Sequence, residues 1–149
     1  MLLRVGVIDM AMSTKLSVAI HILSLIEIGP PDRVNSELIA ASVNTNPVVV
    51  RRLMSKLKKA GLIHTSRGAT QTYLLKEPED ISLYDIYEAV ELEHEVFNIH
   101  QNPNPNCLVG ATIQTALEVQ YAKVQQSMEA ELKEIVLSDV IHQIKQQET

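Results

Sequence analysis

The 149-residue chain is long enough for one domain with a core of its own, or for a small domain plus an assembly element. Hydrophobic residues make up 46% and aromatic residues 3%, with no Trp and one Phe (Phe97), so aliphatic packing must fill the core and helices fit better than an all-β sandwich. Formal net charge is −5; no apolar run approaches the ~20 residues that cross a bilayer, and the single cysteine, Cys107, excludes an intrachain disulfide framework and fits a reducing cytoplasm.

The first twelve residues are mildly apolar but contain Asp9 and are too short for a signal peptide; Met10 or Met12 could equally be the start. From Thr14 to Ile28, apolar residues such as Leu16, Ala19, Ile20, Leu23 and Ile26 recur at three and four, which predicts a helix stopped by Gly29-Pro30-Pro31. His21 on that helix reads as core or interface. Asn35 or Ser36 then caps a short helix, E-L-I-A-A-S-V, with Leu38, Ile39 and Val43 placed to face inward. Asn44-Thr45-Asn46-Pro47 predicts a turn, with Asn44 tolerating a left-handed backbone, Asn46 capping and Pro47 at the first helical position.

The next predicted helix runs from Pro47 to Ala60 and ends at Gly61, with Val50, Leu53, Met54 and Leu57 on one face. Arg51, Arg52, Ser55, Lys56, Lys58 and Lys59 lie away from that face. Leu62-Ile63-His64-Thr65 and Thr72-Tyr73-Leu74-Leu75 flank S-R-G-A-T-Q and predict a hairpin with Arg67 at its tip. Two short helices, a basic outer face and a hairpin make a mainly α, winged helix-turn-helix fold with a small β-hairpin wing. Ser82 and Asp85 have capping-box spacing, with Ile81 placed to staple against Ile86, so another helix opens there and ends near Glu93. After a polar, Pro-interrupted loop, a helix of over 25 residues starts at about Leu108. Its narrow seam of Ile113, Leu117, Tyr121, Val124, Met128 and Leu132 suits a partner helix, most simply its own copy, or packing within the chain. Ser138-Asp139 marks the start of a final short helix.

Charge is unevenly placed. Between Glu37 and Glu77 there is no acid, and Arg51, Arg52, Lys56, Lys58, Lys59, Arg67 and Lys76 give +7 against −12 for the remainder. From Glu77 to Glu95 there are eight acids and no Lys or Arg. A basic patch on an acidic body is either a solvated face or the electrostatic footprint of a DNA-binding module.

These elements resemble the IscR/NsrR/CymR group of winged-helix bacterial regulators. The likeness is carried by L-S-V-A-I-H-I-L, by I-A-A-S-V-N-T-N-P-V-V-V-R-R-L-M-S-K-L-K-K-A-G-L-I, by S-R-G with Y-L-L-K after it, and by I-S-L-Y-D-I-Y-E-A-V-E. It spans about Ser13 to Glu91, and the loop plus long helix is similar to the group's dimerisation region. The resemblance implies a DNA-binding head at 13–93, a loop at 94–107 that holds the cluster in cluster-binding relatives, and a dimerisation helix with its tail at 108–149. Two departures stand out. Family wings carry adjacent glycines where this chain has Gln71-Thr72, and cluster-binding relatives place three cysteines where this chain has only Cys107. An iron–sulfur cluster is therefore not expected, since such sites need mainly thiolate ligands. The wording N-T-N-P-V-V-V-R-R is shared with cysteine-poor members.

The expectation is a cytoplasmic homodimer on double-stranded DNA, a regulator and more simply a repressor, with a roughly palindromic operator. Asn46, Val48, Arg51 and Arg52 are placed to reach base edges, either Arg having a phosphate contact as its alternative. Ser55 shares their outer face. Lys56, Lys58 and Lys59 suit phosphates, and Arg67 resembles the family's minor-groove Arg, with an ordinary exposed loop residue as the alternative. Cys107 is either a redox input or an inert thiol. His94, His100 and Cys107 with Glu91, Glu93 and Glu95 superficially resemble metal ligands, but the spacing matches no zinc pattern and no metal is expected. A different class is a module working mainly through a protein partner such as a metabolic enzyme, docked on the acidic 77–95 surface. No Gly-rich phosphate loop, nucleophile motif or placed acid–base pair supports an enzyme.

Overall fold

The computed structural model describes residues 14–30, 34–65, 72–91 and 96–147. Helix α1 (Lys15–Ile28) is central: Ala19, Ile22, Leu23 and Ile26 are buried, and α2 (Ser36–Val43), α3 (Pro47–Lys59), α4 (Leu83–Val90) and α6 (Leu137–Gln146) all pack on it. Burying each of these Ile and Leu side chains stabilises the fold by about 1.5–3 kcal/mol.

The helix ends follow the capping chemistry of the sequence. Asn35 caps α2, its Oδ1 accepting from the Leu38 N–H at 2.8 Å. Asn44 ends it in the left-handed region at φ 62°. Leu38 differs from expectation: Ile39 and Ala40 take the inward positions, and Leu38, about 100° round the helix from Ile39, stays 37% exposed. Helix α3 starts at Pro47 behind the Asn46 cap and ends at Lys59, with Ala60 as its C-cap. Gly61 has φ +78°, and the bonds Leu62 N–H to Leu57 O and Gly61 N–H to Lys58 O (both 3.0 Å) close the helix as a glycine-terminated Schellman turn. Any other residue at Gly61 would be strained by that φ.

The wing stem is two short antiparallel strands, β1 (Ile63–His64) and β2 (Tyr73–Leu74), in register Ile63 with Leu74 and His64 with Tyr73. Leu75 N–H to Leu62 O at 2.9 Å extends the ladder, and the His64 and Tyr73 rings stack 4.8 Å apart. Arg67 and Gln71, like residues 1–13, lie outside the described residues.

A turn of 3₁₀ helix at Pro78–Asp80 leads into α4, which has both halves of the capping box: Asp85 N–H to Ser82 Oγ and Ser82 N–H to Asp85 Oδ2, each 3.0 Å. Ile81 and Ile86 beside it are fully buried. The helix stops at Val90, short of the expected Glu93, and Glu91 is already extended. Glu88, Glu91 and Glu93 would crowd the negative end of a longer helix dipole, which favours that early stop.

Helix α5 (Leu108–Glu134) spans 27 residues and buries none of them. One of its faces meets its own chain through α4 and through residues 96–101. Of the seam expected from sequence, Ile113, Leu117 and Val124 lie about a quarter-turn away, whereas Tyr121 turns to the Phe97 ring on the intrachain face. The chain then returns to the head. Leu83 N–H donates to Ile135 O and Leu137 N–H to Ile81 O, both at 2.8 Å, and Ser82 bridges Val136. Asp139 Oδ2 accepts from the Val136 N–H at 3.0 Å to start α6, whose Leu137 and Ile141 join the core. The segment expected from sequence to be a tail completes the head with its first turns. No helix among the described residues is long and apolar enough to cross a membrane.

Candidate nucleic-acid interface

The turn Asn44–Asn46 sets α3 against α2, and Val50, Leu53 and Leu57 anchor its inner side. At 100° per residue those anchors leave an outward arc holding Val48, Arg51, Arg52, Ser55, Lys58 and Lys59. All six are exposed, Val48 by 44%. No acid interrupts the arc. Asn46 stands at its entrance: Oδ1 accepts from the Val48 N–H at 2.8 Å, which commits the carbonyl oxygen to the cap and leaves the amide NH₂ of this exposed residue as a donor.

Lys56 is placed differently from the other cations. It lies on the flank, half-buried, and its Nζ donates to the Val90 carbonyl at the end of α4, 3.4 Å away. Its charge therefore sits at the negative pole of α4 and fixes α3 to that helix.

Arg51, Ser55 and Lys58 form a row (i, i+4, i+7) beside a hollow of about 360 Å³, closed by Asn35, Ser36, Thr65 and Thr72. The start of α2, two cations and several hydroxyls thus converge between helix and wing stem, a set of donors with the chemistry of an anion site. Thr65 and Thr72 were not expected at the site from sequence, and Ser36 was expected only as a candidate helix cap. Ser36 carried a signal, following the Asn35 cap, whereas Thr65 and Thr72 join the group only through strand pairing.

Cys107 is exposed and is the N-cap residue of α5. Its sulfur makes no capping hydrogen bond of regular geometry, yet the Gly110 amide and then the Val109 amide hold the thiol below its ordinary pKa. Gly110 is required there, since a Cβ would come within 2.1 Å of the Asn104 carbonyl oxygen. The His100 backbone carbonyl accepts from Gln114 Nε2 at 3.1 Å, and among the described residues no metal-ligand group forms around Cys107. His94, Glu93 and Glu95 lie outside the described residues.

A winged helix-turn-helix head with a cationic second helix defines a DNA-binding transcriptional regulator, not an enzyme. The chain belongs to the Rrf2 family, whose profile, described as "Iron-dependent Transcriptional regulator", matches residues 12–143. It is 48% identical over 132 residues to YwnA of Bacillus subtilis (strain 168), named as an HTH-type transcriptional regulator, covering 89% of this chain and 98% of that one. A crystal structure described as that of a DNA-binding protein is 46% identical, covers 85% of this chain and 98% of its own, and superposes with a TM-score of 0.68. CymR, the global cysteine regulator of B. subtilis, is 22% identical with a TM-score of 0.61, covering 88% of this chain and 95% of its own, and shares the fold.

The family description invokes iron, and the donors of this chain do not fit an iron–sulfur cluster. The whole sequence holds one thiol, and among the described residues no three His, Cys, Asp or Glu side chains gather.

Proposed function

We propose that the chain acts as a homodimeric repressor, each α3 entering a major groove of a roughly palindromic operator with half-sites about 10 base pairs apart or a multiple of that. Operator binding places its work in the cytoplasm. The observation that supports this best is the uninterrupted cationic arc on α3, exposed on a chain of net charge −5. Val48, Arg52 and the Asn46 amide face base edges, while Arg51, Ser55, Lys58 and Lys59 hold phosphates, and Arg67 serves the minor groove. Lys56 supports α3 from behind.

Two substitutions separate base reading from phosphate binding. Arg52→Ala should cost about 1–3 kcal/mol at one operator position and relax the preference there. Lys58→Ala should weaken binding to all sequences alike and reduce the slope of log affinity against log salt by about one. Competition assays over point-mutated operators measure both. A uniform loss for Arg52→Ala would remove its base-reading role.

Cys107 is assigned as the input for an oxidant or alkylating agent. Because its pKa is lowered, more thiolate is present at neutral pH than for an ordinary cysteine, so iodoacetamide should label it faster at pH 7. That advantage should disappear above about pH 9, where an unperturbed thiol (pKa ~8.5) is also largely ionised. Operator affinity unchanged by complete labelling would end the sensor role.

A second reading, regulation through a protein partner, draws on Glu77, Glu79, Asp80 and Glu88, all exposed on the head. Gel shifts with and without cell extract distinguish the two: a partner-dependent regulator shifts DNA only when extract is present.

A further inference from the structure

We propose that the cleft between residues 96–101 and α5 binds a small organic cation with a flat apolar body. The cleft has a volume of about 710 Å³, within the span of small-molecule sites.

Its walls are preformed. The segment 96–101 lies along α5 and is held at two points: the Val96 N–H donates to Gln125 Oε1 at 3.1 Å, and Gln114 Nε2 donates to the His100 carbonyl at 3.1 Å. Those glutamines stand about three turns apart on the helix. Between them the Phe97 and Tyr121 rings stack with centroids 5.1 Å apart, and Phe97 is 44% exposed. Apolar and aromatic surface thus meets side-chain amides whose hydrogen bonds already fix their direction.

Charge selects the ligand. Among the described residues Glu118 is the one carboxylate lining the cleft, no Lys or Arg lines it, and the Glu118 carboxylate has no hydrogen bond or ion pair. An anion would meet that carboxylate and the negative faces of two rings, whereas a cation is attracted by both. The flat wall favours a planar body.

Occupancy would be felt at α3. Gln125 Nε2 also reaches the hydroxyl of Tyr87, at 3.4 Å, and Tyr87 is buried on α4. One turn further along α4 the Val90 carbonyl accepts from Lys56 of α3. A ligand that spreads the 96–101 segment from α5 pulls on the amide joining these elements. Only this last step rests on the DNA-binding reading.

The test titrates the full-length protein, without DNA, against two fluorescent probes: berberine, a planar aromatic cation, and 8-anilinonaphthalene-1-sulfonate, an anion of comparable size. The chain has no Trp to interfere. Berberine should saturate at one per chain and bind at least about tenfold more tightly than the anion. Glu118→Gln should weaken berberine by up to about fivefold and leave the anion no weaker, the size of effect a solvent-exposed charge pair has. Glu118 is on the surface, so loss of fold does not confound the result, and circular dichroism verifies it. Equal affinity for both probes, no saturable berberine binding, or a Glu118→Gln variant identical to wild type would overturn the proposal. So would berberine binding confined to concentrations at which the chain is monomeric, which would give the cleft to a second copy. Because no DNA is present, none of these outcomes bears on operator recognition. A gel shift with berberine held below the concentration at which it binds the DNA alone then reads the relay.

Discussion

Val124→Glu should convert the protein to a monomer and lower operator affinity by about 100-fold or more, while leaving the head folded. Val124 is 48% exposed and belongs to no buried cluster, so a carboxylate there disturbs little within one chain. In a paired α5 the same residue would lie in the seam with Ile113 and Leu117, where two carboxylates would be desolvated beside one another. The effect on DNA follows from linkage. Two heads on one scaffold bind their half-sites with an effective concentration that raises overall affinity by about 10²–10⁴, and a monomer forfeits that gain. Sedimentation equilibrium measures the state of assembly, and a gel shift on full and half operators measures the linkage. A Val124→Glu protein that stays dimeric would move the interface away from this seam. A monomer that retains full operator affinity would make pairing irrelevant to binding. Leu108 and Val109, 82% and 63% exposed at the start of the same helix, extend the unpartnered apolar surface towards Cys107.

The head was largely legible because its signals are local. Asn35, Asn46 and Ser82 cap where short polar side chains precede apolar periodicity, and Gly61 ends α3 where glycine takes a left-handed backbone without strain. The outward arc of α3 follows from 3.6-residue periodicity once Val50, Leu53 and Leu57 are turned inward. What the sequence hid is long-range. Nothing in Leu137 or Ile141 states that they bury against Ile81, some 55 residues earlier, rather than forming a solvated tail. Nor does Lys56 reveal that its ammonium turns to the Val90 carbonyl, because a lysine's reach lets it serve either face. The hollow of Arg51, Lys58, Ser36, Thr65 and Thr72 is likewise assembled by packing three separate segments. The cleft along α5 escaped for the same reason: Phe97 and Tyr121 meet only because residues 96–101 are pinned to the helix by Gln114 and Gln125.

Leu137→Ala should destabilise the head by about 2–5 kcal/mol, the range for truncating a fully buried leucine whose cavity collapses only in part. Leu137 is completely buried, and its own N–H is bonded to the Ile81 carbonyl at 2.8 Å. Against a total stability of about 5–15 kcal/mol that is a large fraction, and it should lower the melting temperature by roughly 5–20 °C. Thermal unfolding followed by circular dichroism measures it, with Ile144→Ala as the control. Ile144 lies on the same helix but is 41% exposed, so its loss should cost well under 1 kcal/mol. Equal effects from the two variants would mean that α6 does not dock on the head as described. The consequence reaches beyond stability, because the Ile135–Leu137 connection ties the end of α5 to the start of α4. That tie, together with the Gln125–Tyr87 bond, holds the long helix against the head that carries α3. In the proposed homodimer the two α3 helices would then stand at one separation, and loosening Leu137 should widen the range of half-site spacings tolerated before it abolishes binding. Operators with one base pair added or removed at the centre, each change rotating the half-sites by about 36°, provide the measurement.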